Sequence, residues 1–380
     1  MTHGPRYHRG MRIAHLEAGR HLYGGAAQVR YLLDGLTARG VDNVLLCPRG
    51  SELAAVAPAR VHALPMSGEL DVLLPPRLVR ALRRIAPDLV HVHSRRGADL
   101  YGAAAATLLG LPVVLTRRVD SPEPAWLGRW KYRPYAAVIA LSRAIEAQLL
   151  AAGVDATRIV RIPSTVDTAR YRPDAAARGR LLAAFRLPSD ALTVGVAAQL
   201  IERKGHAVLL AALPELVREQ PTLRVLCFGR GPLEGALRAE IAARGLEGHV
   251  VLAGFRRDLP ELLPGLDVLA HPAAREGLGL ALLEAASAGV PVVACDAGGI
   301  ADVVVHGATG LLVPVGDSAA LRAALARLLV ERPERARFGA AARAHAERQF
   351  DVARLAPAHL SLYERVLAER ATRAVPTVTR

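Results

Sequence analysis

Aromatic residues make up only 4% of this 380-residue sequence, lysine occurs at two positions and cysteine at three. Each shortage excludes something. With few aromatics and no recognisable nucleic-acid module, little is available for bases to stack on, so a nucleic-acid-binding protein is a weak alternative despite a net charge of +14. Cys47, Cys227 and Cys295 are isolated, odd in number and without CxxC spacing. That pattern is neither a disulfide scaffold nor a zinc ribbon, and it suits a reducing cytosol. Long apolar runs are also lacking. The longest uncharged stretch, residues 100–116, is broken by Gly102, Gly110 and Pro112 and reads as a buried helix followed by a strand. Residues 1–10 are polar and basic with no apolar core behind them, so no signal peptide is expected.

What is present is an ordinary globular composition, 52% hydrophobic and 22% charged, long enough for two domains with large cores. The positive charge is unevenly placed. Residues 1–170 hold 23 Lys+Arg against 13 Asp+Glu, and residues 171–380 hold 26 against 22. Such an excess favours phosphate-bearing partners, although almost all of it is arginine, a composition bias that weakens the charge as a clue to function.

Short apolar runs alternate with helical patterns, the mark of parallel α/β layers. Strands are expected at 12–16, 44–47, 89–93, 113–116, 137–141 and 159–162, with helices at 26–39, 76–86, 98–109 and 143–152. Residues 166–190 are polar, contain Pro173, Gly179 and Pro188, and read as a linker with room for one helix. The alternation restarts at 193–198 and continues through strands at 224–228, 250–253, 268–271, 292–295 and 311–313. Three helical stretches close the chain. Two doubly wound α/β domains are therefore expected, with ligands bound at the carboxyl ends of strands, in a crevice between the domains.

Three loops stand out. Gly24 and Gly25 precede a helix after the first strand, where free N–H groups could face an anion; an ordinary turn would look the same. Arg203, Lys204 and Gly205 open a helix after the strand at 193–198. Cations there oppose the helix dipole, which makes sense opposite a polyphosphate, though solvated basic residues are the plainer reading. In the third loop a strand ends at His271, Glu276 sits near the apex, Gly277 and Gly279 keep the turn open, and Glu284 follows two helical turns later. Amides at Gly277, Leu278 and Gly279 suit a phosphate, and the carboxylates suit sugar hydroxyls. His91 and His93 alternate with Val90 and Val92, and the expectation is that one faces each side of the sheet. No metal-ligand spacing is evident, so a metal-independent mechanism is expected.

The run from Glu276 to Glu284, continuing through Ala285-Ala286-Ser287-Ala288-Gly289-Val290-Pro291 and Gly298-Gly299-Ile300, resembles glycosyltransferase family 4. So do Phe228-Gly229-Arg230-Gly231-Pro232 and Gly307-Ala308-Thr309-Gly310-Leu311-Leu312-Val313-Pro314. The resemblance is specific over residues 190–320 and looser before them. It implies a GT-B fold: an acceptor-binding Rossmann-like domain at 1–170, a nucleotide-sugar-binding one at 171–350 facing it across a cleft, and a carboxyl-terminal helix within 351–380 crossing back to the first. It implies a retaining transferase that takes a sugar from a nucleotide-diphosphate sugar, with no further cofactor. By resemblance Glu276 would bind donor-sugar hydroxyls, Glu284 the ribose, and Lys204, with Arg203, the diphosphate. Gly277, Leu278, Gly279 and Gly229 would meet the donor, Arg256 would border its base, and the Gly24-Gly25 loop would close on the phosphates.

Two departures matter. Gln199 stands where the family usually has an arginine, so one cationic contact to the diphosphate is either missing or supplied by Arg203. Thr116-Arg117-Arg118 replaces the family's Thr-x-His, so Arg118, with Arg117 and His93, is expected to line the site or bind the acceptor. Ser94-Arg95-Arg96-Gly97 and Thr116-Arg117-Arg118 are similar to a branch acting on lipopolysaccharide and other envelope glycans. A glycan or lipid-linked acceptor and a cytoplasmic location are therefore expected, with peripheral contact to an anionic membrane surface through residues 75–86. There Leu78, Val79, Leu82 and Ile85 share one helical face and Arg77, Arg80, Arg83 and Arg84 lie largely elsewhere; packing of that face on the domain's own sheet is the competing reading. A sugar-nucleotide epimerase on the same fold is the other alternative.

Overall fold

The computed structural model describes residues 10–94 and 97–374. Runs of Val, Ile and Leu form the strands, and those in the middle of each sheet are buried on both faces, as parallel sheets between helices must be. In the amino-terminal unit these are β1 (Arg12–Leu16), β2 (Asp42–Pro48), β3 (Arg60–Leu64), β4 (Leu89–Val92), β5 (Val113–Arg117), β6 (Ala137–Ala140) and β7 (Ile159–Arg161). They lie in the order β3-β2-β1-β4-β5-β6-β7, every pairing parallel. The second unit carries β8 (Leu192–Ala197), β9 (Leu223–Phe228), β10 (Val250–Gly254), β11 (Val268–His271), β12 (Val292–Cys295) and β13 (Gly310–Val313). Their order is β10-β9-β8-β11-β12-β13, again all parallel. In each sheet the strand order reverses once, beside β1 and beside β8, and such switch points are where open α/β sheets leave room for ligands. The edge strand β3 escapes the sequence reading because Arg60, Val61 and Ala63 are exposed and only His62 and Leu64 are partly buried, so it presents no apolar run.

Contacts divide the chain between Ser164 and Thr165, and again between Asp351 and Val352. The first division falls before the expected boundary at 170/171 for a physical reason. Val166 N–H donates to the Phe350 carbonyl at 2.8 Å, and the Arg343 guanidinium donates to the carbonyls of Thr168 and Tyr171, both at 2.8 Å. These bonds hold residues 166–171 to the second unit. The linker also contains the helix Ala177–Phe185.

The carboxyl-terminal helix Leu355–Ala374 belongs to the first unit. Leu355, Leu360, Tyr363 and Val366 join a buried cluster with Ile13, Leu36, Val114 and Ile139. Gly35, on the helix Gly24–Thr37, is where the two helices touch: a Cβ there would fall 2.7 Å from that of Ala356. The helix Leu74–Ile85, offered above as a membrane contact, turns Leu74, Leu78, Ala81, Leu82 and Ile85 into its own unit's core. Its apolar face is thus unavailable to a bilayer, while Arg80, Arg83 and Arg84 remain exposed. No described helix is long and apolar enough to cross a membrane.

Tyr363 is fully buried with its hydroxyl 2.6 Å from His91 Nδ1. Replacing it with Phe leaves a buried imidazole nitrogen without its partner, a loss of about 1–3 kcal/mol. The expected outcome is a lower melting temperature for the amino-terminal unit with an unchanged far-UV spectrum, measured by calorimetry and circular dichroism.

Candidate functional site

In the second unit, the loops after β8 and β11 meet beside the switch point. The chain leaves β8, makes a short 3-10 turn at Glu202–Lys204 and enters the helix His206–Glu219 through Gly205. Gly205 has φ +71°, and a Cβ there would lie 1.9 Å from the Pro272 carbonyl oxygen, so only glycine lets the two loops approach. Their approach brings Lys204 to Glu276. The ammonium and Glu276 Oε2 form a close ion pair, with side chains 11% and 14% exposed. His271, the last residue of β11, places Nε2 3.1 Å from the same oxygen. Burial pushes the Glu276 carboxyl up, yet the His271 hydrogen bond and the Lys204 ammonium outweigh it and hold the group at about 2. Burial keeps the His271 imidazole below its ordinary value, so at neutral pH it is an uncharged N–H donor to the carboxylate.

Gly279, at φ +94°, caps the helix Leu280–Ser287, and Gly277, Leu278 and Gly279 are all buried. Among the described residues no acceptor takes the amide hydrogens of these three. The loop is fastened elsewhere: Gly299 N–H donates to the Glu276 carbonyl at 2.9 Å, and Ala274 N–H to that of Arg203 at 2.9 Å. Arg203 is exposed and donates to the Arg275 carbonyl at 3.2 Å, so its cation lies over this loop. Glu284, in the same helix, is partly buried and has separate neighbours. Burial pushes its carboxyl up to about 7 against a Tyr171 hydrogen bond and the Arg170 charge. Gly229 is required by packing, since a Cβ would sit 1.8 Å from the Ala198 carbonyl oxygen. Arg256 pairs with Asp258, its Nε 2.8 Å from Oδ1, and stacks over Phe185.

Sequence reasoning named neither His271 nor His206 as site residues. Both ring nitrogens of His206 are buried without a hydrogen-bond partner among the described residues, and burial, with the Lys204 charge, pulls its imidazole down to about 4. A histidine directly after the Lys-Gly pair, and another five residues before Glu276, were the available signals.

The amino-terminal unit gathers a second polar group at the ends of β1, β4 and β5. His91 and His93 lie on the same face of the sheet, since residues two apart in a strand point the same way, and this corrects the expected split. Their rings are 3.8 Å apart between centroids. Asn43 donates through its Nδ2 to Thr37 and to the Val41 carbonyl, which turns its Oδ1 to accept from His15 Nε2 at 3.0 Å. His15 Nδ1 is then an acceptor for His93 Nε2 at 3.0 Å. His93 Nδ1 is left buried without a partner. Nitrogens of these three histidines lie within 4.8 Å of one another, but hydrogen bonds engage all of them except His93 Nδ1.

Arg117 and Arg118 part company because neighbours in a strand face opposite ways. Arg118 donates to the His93 carbonyl at 3.1 Å and lies beside Gly25, whose absent Cβ would be 3.5 Å from Arg118 Cδ. Gly24 begins the helix at that corner. A small cavity of about 10 Å³ nearby is lined by Gln28, Thr116, Arg118, Ser164 and His359 among others. Arg117, expected to line the site, is instead turned inward. It pairs with Glu123 at 2.6 Å and bonds the Tyr132 hydroxyl and the Ser121 carbonyl, while Lys131 completes the group at 2.9 Å from Glu123. Its charge is spent fastening residues 118–124. Arg95 and Arg96 lie outside the described residues.

A family model described as "Glycosyl transferases group 1" matches residues 179–345, and one described as "Glycosyltransferase Family 4" matches residues 23–170. A GDP-mannose-dependent alpha-(1-6)-phosphatidylinositol monomannoside mannosyltransferase of Mycobacterium tuberculosis (strain CDC 1551 / Oshkosh) is 37% identical over 191 residues, 48% of this chain and 49% of that protein. The match thus spans about half the length of that relative. A 2-deoxystreptamine glucosyltransferase of Streptomyces kanamyceticus is 30% identical over 312 residues, 77% of this chain and 81% of that protein. Among solved structures, that of Anabaena Alr3699/HepE in complex with UDP-glucose superposes with a TM-score of 0.82 at 22% identity, over 95% of this chain and 100% of that one, and so shares the fold. The chain belongs to the glycosyltransferases, in the family whose amino-terminal half is of the family 4 type and whose carboxyl-terminal half is of the group 1 type.

The Glu123 cluster carries a pH prediction. Burial pushes its carboxyl up, but Tyr132, Lys131 and Arg117 hold it at about 2, against an ordinary 4.5. A depressed carboxyl stabilises the fold above its unfolded value and loses that contribution as pH falls through its folded one. Glu123→Gln should therefore cost about 3 kcal/mol at pH 7 and markedly less near pH 2, read from urea midpoints at both pH values.

Proposed function

We propose that this protein transfers a sugar from a nucleotide-diphosphate sugar to a glycan or lipid-linked acceptor, with retention at the anomeric carbon and without a metal ion. One observation carries the reading: Lys204 and His271 converge on a single oxygen of Glu276, beside the unengaged amides of Gly277, Leu278 and Gly279 at a helix N-terminus. Glu276 Oε1 is then the oxygen left for donor-sugar hydroxyls, with its carboxylate oriented by the other. Lys204 and the amides are placed for the diphosphate, where negative charge grows as the glycosidic bond breaks and an oxocarbenium-like centre forms. A cation held against a carboxylate can transfer its interaction to a phosphate as that charge develops, which favours the transition state over the ground state.

Glu284, on the next helical turns, takes the ribose in this reading, and Arg256 with Phe185 borders the base. Arg118 and the buried lone pair of His93 provide the acceptor side, and the Gly24-Gly25 loop serves the donor phosphates. The names of the relatives point to a phosphatidylinositol mannoside and 2-deoxystreptamine as acceptors and, in the first, to GDP-mannose as donor. An envelope glycolipid or polysaccharide acceptor, at the inner face of the membrane, is our choice among these because of the basic amino-terminal half.

Glu276→Gln keeps the size and removes the charge. Transfer, assayed well below the melting temperature, should fall about a hundredfold or more, roughly 3 kcal/mol, and the melting temperature should drop as well, because Lys204 and His271 lose a buried charged partner. Near-normal transfer by this variant, in assays pairing a panel of nucleotide sugars with acceptors, would sink the assignment. A donor-only reaction yielding an epimerised sugar nucleotide would replace transfer with epimerisation.

Lys204→Met should weaken binding of a sugar nucleotide and of the free nucleoside diphosphate by about tenfold or more, while a nucleoside without phosphates binds as before. Calorimetric titration of the three ligands checks this, and equal losses for all three would place the lysine elsewhere.

A further inference from the structure

Trp126 and Trp130 are the only tryptophans in the sequence, and both stand largely in solvent, 73% and 64% exposed. Four residues apart on the helix Ala125–Tyr132, they share one face. Arg129 and Arg133 have the same spacing and are also exposed, and Arg133 caps the helix in helical backbone. At about 3.6 residues per turn the two arginines fall directly beside the indoles, so a row of cations runs along a row of rings. Among the described residues neither arginine pairs with a carboxylate, while Glu123 and Asp99, packed under the helix, are already engaged by Arg117 and Lys131.

The opposite face is locked. Gly128 packs so tightly that a Cβ would fall 2.2 Å from the Ala152 carbonyl oxygen, Tyr132 is buried, and Lys131 pairs with both Asp99 and Glu123 at 2.9 Å. Rolling the helix to hide the indoles would break the buried ion-pair group that Arg117 completes. The stem of Arg129 is held as well, since it crosses Gly153, where a Cβ would fall 2.8 Å from Arg129 Cγ. The helix follows β5 and the fastened residues 118–124, so its first turn stands at the same carboxyl-terminal margin of the sheet as Arg118.

We propose that this face is a binding platform for an acidic oligosaccharide, the glycan part of the acceptor, with pyranose rings stacked on the indoles and the sugars' anionic groups on Arg129 and Arg133. Its identification with the acceptor rests on the transferase reading; the binding itself does not. A pyranose turns one face of weakly positive C–H groups outward and keeps its hydroxyls at the rim. Stacking on the negative face of an indole therefore buries apolar surface without dehydrating the hydroxyls. Guanidinium groups alongside accept the charges by strong hydrogen bonds. The exposed side chains of the helix are Ala125, Trp126, Arg129 and Trp130, so it offers rings and cations but no branched aliphatic chain to enter lipid tails.

Because the two tryptophans are the only ones, intrinsic fluorescence of the full chain reports on this helix alone. Hyaluronan and polygalacturonate hexamers, added without nucleotide sugar, should shift emission to shorter wavelength and shield it from acrylamide. Neutral maltohexaose should bind about tenfold more weakly, and the difference should close at high salt. Arg129→Gln/Arg133→Gln keeps both reporters and should lower affinity for the acidic hexamers about tenfold, to the level of maltohexaose. Trp126→Gln leaves Trp130 to report and should weaken acidic and neutral hexamers alike, with a thermal melt as in the parent. Loss of transfer in Glu276→Gln leaves all these readings untouched, so this proposal and the transferase reading fail separately. Unchanged emission with both acidic hexamers, parental binding by both variants, or a shift on phosphatidylglycerol vesicles with none on the hexamers overturns the proposal.

Discussion

A parallel sheet covered by helices on both faces has no place for an unpaired charge, because every strand residue away from the ends is taken out of water. Polar chemistry is pushed to the carboxyl ends of the strands, and each charge that goes there must find a partner or stay in solvent. In the second unit that rule produces the contact of Lys204 and His271 with Glu276 at the ends of β8 and β11. In the first it produces the histidine chain anchored by Asn43 and the Arg117–Glu123–Lys131 group at the end of β5.

The two ends solve the same problem with different consequences. The Glu123 group is closed: its carboxylate is shared by a tyrosine and two cations, and nothing is left over for a ligand. The Glu276 group is open, since both partners use one carboxylate oxygen and the neighbouring amides have no acceptor among the described residues. Closed groups hold loops, and open ones bind. Arg117 and Arg118 show how narrow the difference is, as a single step along the strand sends one guanidinium into a structural pair and the other to the Gly25 corner.

Rigidity at the margins follows from the same groups. The closed pair network fixes the helix Ala125–Tyr132 from within and so determines which of its side chains face water. The tightly packed glycines Gly205 and Gly229 act similarly in the second unit, where backbone touches backbone and no side chain could be admitted.

Much of this is legible in the residues alone. Apolar runs of strand length separated by helical periods specify two parallel α/β layers, because hydrophobic pattern is a local property. The Glu276-to-Glu284 spacing and the glycines around it mark the loop after β11 as unusual, since special backbone geometry demands special residues. Other features have no local signature. The edge strand β3 is held by hydrogen bonds to β2 rather than by burial of its side chains. His271 and His206 gain meaning only when β8 and β11, distant in sequence, become neighbours. The apolar face at Leu78 and Leu82 looks the same in sequence whether it meets lipid or a helix, and packing against the unit's own core decided for the helix. Sequence determined which side chains are apolar, charged or unusually free in backbone; tertiary structure decided which of them meet, because burial and pairing depend on neighbours that only folding brings within a few ångströms.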